Sequence, residues 1–296
     1  MTANLETGLL YALLAGIFWG ISPLFLKKGM IRSNVSAATV IQQGVIVAIL
    51  AAIAGARHEL FRTELPARAL WSFIGAGVVG ASLGKIFYNR SIDNVGASRA
   101  TSIKNSDPII TAVLAVAMLG ERLTIQIAAG VLLIVAGILL LTRVTAKTEG
   151  RRDRLLHFLY PLLAVFCYGI TPVFKKMGIA AASLPALGAL VMQMTGFIVI
   201  VTAGRLLKIK PKWERIPAQP LIFFALSGVA EALGSLCTFY ALIYAPAVVV
   251  SPVWRISPLV TFLFSRFTLK GVEVVTLRDG LAASLIVGGV LLMSQR

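Results

Sequence analysis

Five ionisable residues stand in the interior of otherwise apolar runs of this chain, Lys85, Lys104, Asp107, Glu231 and Arg255, while Arg99, Arg266, Arg278 and Asp279 stand only at run ends. On insertion scales a charge at the centre of a membrane-spanning helix costs about 2.5–3.5 kcal/mol, so each must face a partner or a wet cavity. Lys104 and Asp107 are three residues apart and share one helix face. Arg255 precedes Pro258 by three residues, as Asn105 precedes Pro108. A guanidinium can grip a carboxylate or phosphate with two hydrogen bonds. Arg255 and Lys104, with Lys85, are therefore candidates to meet an anionic group of a small solute. Internal pairing is the alternative: Lys104 with Asp107, and Arg255 or Lys85 with Glu231. Asp107 and Glu231 have three open roles. They neutralise the basic residues, carry protons, or bind an ammonium group of a solute.

Trp19 and Tyr168 add aromatic surface, either to stack on a solute and gate a cavity or to pack between helices. Each lies one turn before a proline, Pro23 or Pro172. A proline inside a helix removes one hydrogen bond and bends the chain. Pro23, Pro172, Pro108 and Pro258 are candidate hinges, and the carbonyls that Pro108 and Pro258 free, those of Lys104 and Trp254, can face a ligand.

The elements that hold these residues are apolar throughout. Hydrophobic residues make up 58% of the chain and charged ones 14%, with a mean hydropathy of +0.88. A soluble domain carries about 25% charged residues. Runs of about 20 apolar residues, enough to cross a bilayer as a helix, recur ten times: Gly8–Phe25, Ala37–Ala54, Ala69–Tyr88, Ala97–Leu119, Ile125–Leu141, Leu159–Phe174, Leu184–Ala203, Pro220–Tyr240, Ala247–Phe267 and Leu277–Met293. The net charge of +16 comes from Lys and Arg in short connections rather than on one basic face. It fits helix ends at anionic headgroups, and nucleic acid is not an expected partner.

The chain is also one unit written twice. LYALLAGIFWGISPLFLKK near residue 10 returns as LYPLLAVFCYGITPVFKK near residue 159, with Leu10/Leu159, Tyr11/Tyr160, Gly20/Gly169, Pro23/Pro172 and Phe25/Phe174 in register. Gly84/Gly234, Ala97/Ala247, Pro108/Pro258, Thr111/Thr261 and Gly130/Gly280 continue the match. Five spans per unit is an odd number, so the second unit enters the membrane from the opposite side. The expected fold is all-α and integral to the membrane: ten transmembrane helices as two inverted five-helix repeats around a central cavity. Residues 1–144 form the first repeat, 145–156 the linker and 157–296 the second. The Lys/Arg bias of the loops favours both termini on the non-cytoplasmic side.

AMLGERLTIQIAAGVLLIVAGILLL at 117–141, the proline of SDPIITAVLA at 106–115 and Trp19-Gly20 resemble the EamA-type branch of the drug/metabolite transporter superfamily. The resemblance spans both halves. It implies ten helices in inverted repeats, a cavity lined by spans one, three, four, six, eight and nine, and carriage of small metabolites, often outward. All five intramembrane charges fall in spans that line the implied cavity. The second half departs from the pattern, with FTLKGVEVVTL at 267–277 where LGERLT is expected. Glu121 and Glu273 are accordingly read as helix-end charges at the membrane surface.

The functional expectation is a secondary transporter, by way of export, for small anionic or zwitterionic metabolites such as amino acids. Flippase-like transport of a lipid-linked or sugar-phosphate solute is the alternative. Protons are a candidate coupling ion, and a prokaryotic cytoplasmic membrane the expected location. No nucleophile–base constellation and no GxxxxGK[ST] loop occurs, so neither an enzyme nor an intrinsic ATPase is expected. GAGVVG at 75–80 lies within an apolar run and reads as helix packing rather than a dinucleotide loop. His58 and His157 lie in basic loops far from Cys167 and Cys237, so neither a metal nor a cofactor is expected. The first span has no acidic residue, which argues against lipophilic cations as cargo.

Overall fold

The computed structural model describes residues 2–30, 35–61, 65–95, 103–142, 154–206, 218–257, 259–260, 263–264 and 277–294. Among these there is helix and turn but no strand. The helices are α1 (Thr2–Met30), α2 (Val35–Ala56), α3 (Ala67–Ala76), a π-helical stretch (Gly77–Gly84) that runs into α4 (Lys85–Val95), α5 (Asp107–Leu119), α6 (Ile125–Thr142), α7 (Arg154–Ala181), α8 (Pro185–Leu206), α9 (Ala218–Tyr244), α10 (Ala247–Trp254) and α11 (Leu277–Ser294). Among the described residues five apolar stretches are long enough to cross a membrane: Asn4–Leu26, Ala67–Tyr88, Leu159–Ala181, Pro185–Arg205 and Gln219–Tyr244. Leu10, Trp71, Leu132 and Phe166 point outward, each more than half exposed. Such an outer surface suits lipid rather than water, where exposed apolar patches are small.

Local sequence sets the ends. Pro66 and Pro246 lie immediately before α3 and α10, and Pro185 opens α8. Gly120 ends α5 in the left-handed region at φ 65°, a conformation glycine adopts without a Cβ penalty.

Small residues bring the helices together. α1 lies along α9 from Gly8, against Ala245, to Gly29, against Phe224. α7 lies along α3, the π stretch and α4 in the same manner, with Gly178 against Phe73 and Phe87 6.4 Å from Tyr160. Lipid gives helices no hydrophobic reason to associate, so close backbone approach and van der Waals contact carry the packing. GAGVVG accordingly contributes close contacts: a β-carbon at Gly77 would stand 2.6 Å from Met192 O, and one at Gly80 2.3 Å from Thr171 Oγ1.

The contacts follow the duplication. A β-carbon on Gly20 would meet Val260 Cβ at 2.5 Å and Ser257 O at 2.7 Å; one on Gly169 would meet Ile110 Cβ at 2.6 Å and Asp107 O at 3.1 Å. In the repeat, Gly20 matches Gly169, Val260 matches Ile110 and Ser257 matches Asp107. Gly234 likewise lies against Trp19, and Gly84 against Tyr168. Gln43 donates to the side-chain carbonyl of Gln193, its counterpart in the repeat, at 3.0 Å.

Two helices break at matching places. Residues 105–106 form a turn before α5, and residues 255–256 form a turn after α10. The fourth span is therefore not one bent helix. Pro108 sits in the first turn of α5, where its missing N–H would have no intrahelical partner anyway. This corrects its expected role as a bend inside a helix. Pro258 lies outside the described residues. Pro23 and Pro172 are inside α1 and α7 as expected, and Pro161 and Pro252 are two further interior prolines.

Candidate functional site

The two breaks carry the central charges. Arg255 caps the C-terminus of α10, with φ −77° and ψ 5°, and its backbone N–H reaches the carbonyls of Pro252 and Val253. Asp107 opens α5 behind the cap residue Ser106. The Arg255 guanidinium donates to Asp107 Oδ2, and the two side chains are 10% and 2% exposed. This pair is an internal pairing other than the alternatives weighed for these residues, Lys104 with Asp107 and Arg255 or Lys85 with Glu231. The reason is topological: the two breaks face each other across the repeat, a proximity invisible to sequence spacing.

Tyr168 of α7 lies beneath two cations. Arg255 Cζ is 5.6 Å and Lys104 Nζ 5.3 Å from its ring centre, and Lys104 Nζ is also 4.9 Å from the Tyr88 ring. A cation over an aromatic face gains about 0.5–1 kcal/mol at exposed sites and about 2 or more when desolvated. Trp19 of α1 meets Trp254 edge to face at 6.4 Å and 75°. Gly234 leaves room for its indole: a β-carbon there would stand 2.6 Å from Trp19 Cδ1.

Lys175 completes the cluster. It is 3% exposed. Its ammonium donates to Thr238 Oγ1 at 2.8 Å and lies 5.0 Å from the ring of Phe239, 5.8 Å from Trp19 and 6.0 Å from Trp254. Glu231 of α9 lies within electrostatic reach of Lys85, Lys104 and Lys175, and Asp107 within reach of Lys104 as well. Among the described residues five buried side-chain polar atoms have no hydrogen-bond partner: Trp19 Nε1, Asn105 Nδ2, Asp107 Oδ1, Ser251 Oγ and Arg255 Nε. Buried polar groups are normally paired. Three of these atoms are N–H donors and the Ser251 hydroxyl can donate as well, so the site is equipped to take acceptor oxygens.

The fold thus gathers Trp19, Lys104, Asp107, Tyr168 and Arg255, with Lys85 and Glu231 within electrostatic reach of one another. The candidate hinges lie apart: Pro23 is exposed on α1, and Pro172 is buried within α7. Lys175, Trp254 and Asn105 were missed as site residues by sequence reasoning. The sixth apolar run ends at Phe174, which leaves Lys175 and Lys176 just beyond it; α7 continues through both. Hydroxyl, aromatic and carbonyl partners from α9 hold their charges within the helix. The available signal was Lys175 standing where the first repeat has Leu26.

A second polar group grips the turn between α9 and α10. Glu121 accepts from the N–H groups of Ala247 and Val248 at 2.8 and 2.9 Å, at the start of α10. Lys176 donates to the carbonyls of Leu242 and, at 3.1 Å, Ala245, at the end of α9. Both charges complement helix dipoles. Tyr240 of the same region stacks on Tyr11 at 5.1 Å and lies under Arg57, which pairs with Glu59 at 3.2 Å. Glu121 is thus a helix-terminus charge that ties the first repeat to the second. Glu273 lies outside the described residues. Among the described residues no group of three His, Cys, Asp or Glu forms a metal site.

The sequence profile of the EamA-like transporter family matches residues 6–143 and 155–295. An uncharacterised transporter from the cobO 3' region of a Sinorhizobium species is 30% identical over 132 residues, 44% of this chain and 93% of the relative. An uncharacterised protein of Methanocaldococcus jannaschii is 32% identical over 134 residues, 45% of this chain and 91% of the relative. A solved crystal structure superposes with a TM-score of 0.78 over 97% of this chain and 96% of the other, at 16% identity. That likeness bears on the fold alone.

Proposed function

Because the chain belongs to the EamA-like transporter family, we propose that it is a secondary transporter that carries small anionic or zwitterionic metabolites outward by alternating access. One observation carries the substrate class. The interior cluster holds four cationic side chains, Lys85, Lys104, Lys175 and Arg255, and two carboxylates, Asp107 and Glu231, beside unpartnered donors on Asn105, Trp19 and Arg255. Such a site favours solutes with acceptor oxygens and rejects cations by like-charge repulsion. Asp107, bonded to Arg255, acts here as a neutralising group, while Glu231 is the candidate to carry a proton.

Ten membrane crossings in two inverted units, 1–144 and 157–296 with a linker at 145–156, complete the proposal, in a prokaryotic cytoplasmic membrane. The matched breaks at 105–106 and 255–256 support it. So does the Gln43–Gln193 bond, since a residue touching its own counterpart lies on a two-fold axis. Relatives spanning little more than one unit of this chain agree with the duplication. Broken helices meeting at the middle of the membrane are the usual place for a transported solute. Rocking of the two units about this point would expose it to each side in turn.

Counterflow in proteoliposomes tests the function. Vesicles loaded with amino acids, organic acids and sugar phosphates are assayed for exchange against each labelled solute. Saturable exchange of anionic or zwitterionic solutes that falls in Lys104→Gln is expected. Exchange of cations alone, unchanged in that variant, would refute the proposed substrate class.

A further inference from the structure

Resting on that transport site, we propose that the preferred solute is a compact dianion, a small dicarboxylate or phosphate monoester, and that Lys175 is the residue that selects it. The charge count leads there. Asp107 answers Arg255 directly. Glu231 is then the single carboxylate left to serve Lys85, Lys104 and Lys175. Among the described residues none of these lysines takes part in an ion pair. When all three ammoniums are protonated, two positive charges remain unanswered in a buried site, and burial disfavours an ammonium without a counter-ion. A bound solute with two negative charges removes that cost. A zwitterion or monoanion leaves all or half of it.

The cations also stand in two places. Lys104 and Arg255 share the Tyr168 ring, at 5.3 and 5.6 Å. Lys175 lies beyond Trp254, inside a wall of Trp19, Trp254 and Phe239, held by the Thr238 hydroxyl at 2.8 Å. An ammonium has three donors, and among the described residues Thr238 takes one of them. Arg255 Nε, Asn105 Nδ2 and Trp19 Nε1 are buried donors without partners, on residues of the same cluster. One anionic group of the solute meets the Lys104–Arg255 side and the second meets Lys175. The aromatic wall excludes water and holds the ammonium without cancelling its charge. The first repeat has Leu26 at this position, so only the second repeat brings the added cation.

The experiment is counterflow of labelled succinate, glycerol 3-phosphate, lactate and alanine by wild type, Lys175→Met and Lys175→Gln, with folding of each variant checked by detergent size exclusion. In wild type, succinate or glycerol 3-phosphate should exchange at least about tenfold better than lactate or alanine, a difference of about 1.4 kcal/mol. Both variants should lose about tenfold on the dianions and keep lactate exchange within about twofold. A wild type that prefers alanine or lactate would overturn the dianion while leaving the anionic or zwitterionic transporter standing. Equal loss on all four solutes would overturn the selecting role of Lys175. Exchange of none of the four would overturn both this inference and the function on which it rests.

Discussion

Replacing the partners of the Asp107–Arg255 pair, singly and together, separates a structural ion pair from a substrate contact. Arg255→Met leaves a carboxylate, 2% exposed as a side chain, with neither oxygen partnered. Solvent screens little at that depth. Breaking a buried pair from one side costs about 3–5 kcal/mol, because the remaining charge stays uncompensated. That is roughly two to nearly four orders of magnitude in the folded fraction. Asp107→Asn leaves Arg255 beside Lys104 and Lys175 with one carboxylate fewer, and should cost a similar amount. The double variant removes one charge of each sign and keeps the sum of the cluster, so it should return to within about 1–2 kcal/mol of wild type. Thermal unfolding in detergent reads the stabilities, and counterflow reads transport. If Arg255 also touches the solute, the double variant regains stability yet stays at least about tenfold slow in exchange, about 1.4 kcal/mol of lost binding. A double variant that exchanges like wild type would make Arg255 purely structural. Single variants costing less than about 1 kcal/mol would mean that the pair is solvated after all.

Gly234→Ala should be far worse than its repeat counterpart Gly84→Ala, because its β-carbon meets the Trp19 ring at 2.6–2.8 Å whereas that of Gly84 meets its neighbours at 3.2–3.4 Å. The expected cost is about 1–3 kcal/mol for the first, with impaired exchange, and under about 1 kcal/mol for the second; thermal unfolding and counterflow check both. Glu121→Gln keeps the shape but loses the charge-assisted bonds to Ala247 and Val248, and should destabilise by about 1–2 kcal/mol. Since that contact joins the repeats, its exchange rate should change more than its substrate affinity, as read by counterflow against a binding isotherm. Pro172→Ala supplies the N–H that bonds the Tyr168 carbonyl. It should slow exchange about tenfold, an increase of about 1.4 kcal/mol in the barrier, with binding altered less than about twofold. Equal loss of both would point to misfolding.

Much of the fold was legible in the chain because membrane insertion leaves the backbone few options. Every N–H and C=O must be satisfied within the segment, so long apolar runs become helices. Among the described residues the structure accordingly has helix over eight of the ten runs, Leu184 at one run's edge apart, and over part of the fourth and the ninth, where α5 covers Asp107–Leu119 and α10 covers Ala247–Trp254. The ends were less legible. A helix such as α7 continues past Phe174 to Ala181 because Lys175 and Lys176 find Thr238, aromatic rings and the carbonyls of Leu242 and Ala245 on α9. None of those partners is local in sequence. The break before α5 was also hidden, since Pro108 reads equally as a kink or as the first turn of a new helix.

By composition and periodicity alone the sequence determined an apolar, helical, duplicated chain, and the rarity of charges in its spans singled out Lys85, Lys104, Asp107, Glu231 and Arg255. Which of these meet was decided by tertiary structure. Contacts such as Asp107 with Arg255 and Lys175 with Thr238 join residues 148 and 63 positions apart. They exist because glycines such as Gly20, Gly169 and Gly234 let helices of the two repeats approach closely. Helical periodicity fixes the face on which a charge sits within one span. The partner across that face is fixed only when the spans pack.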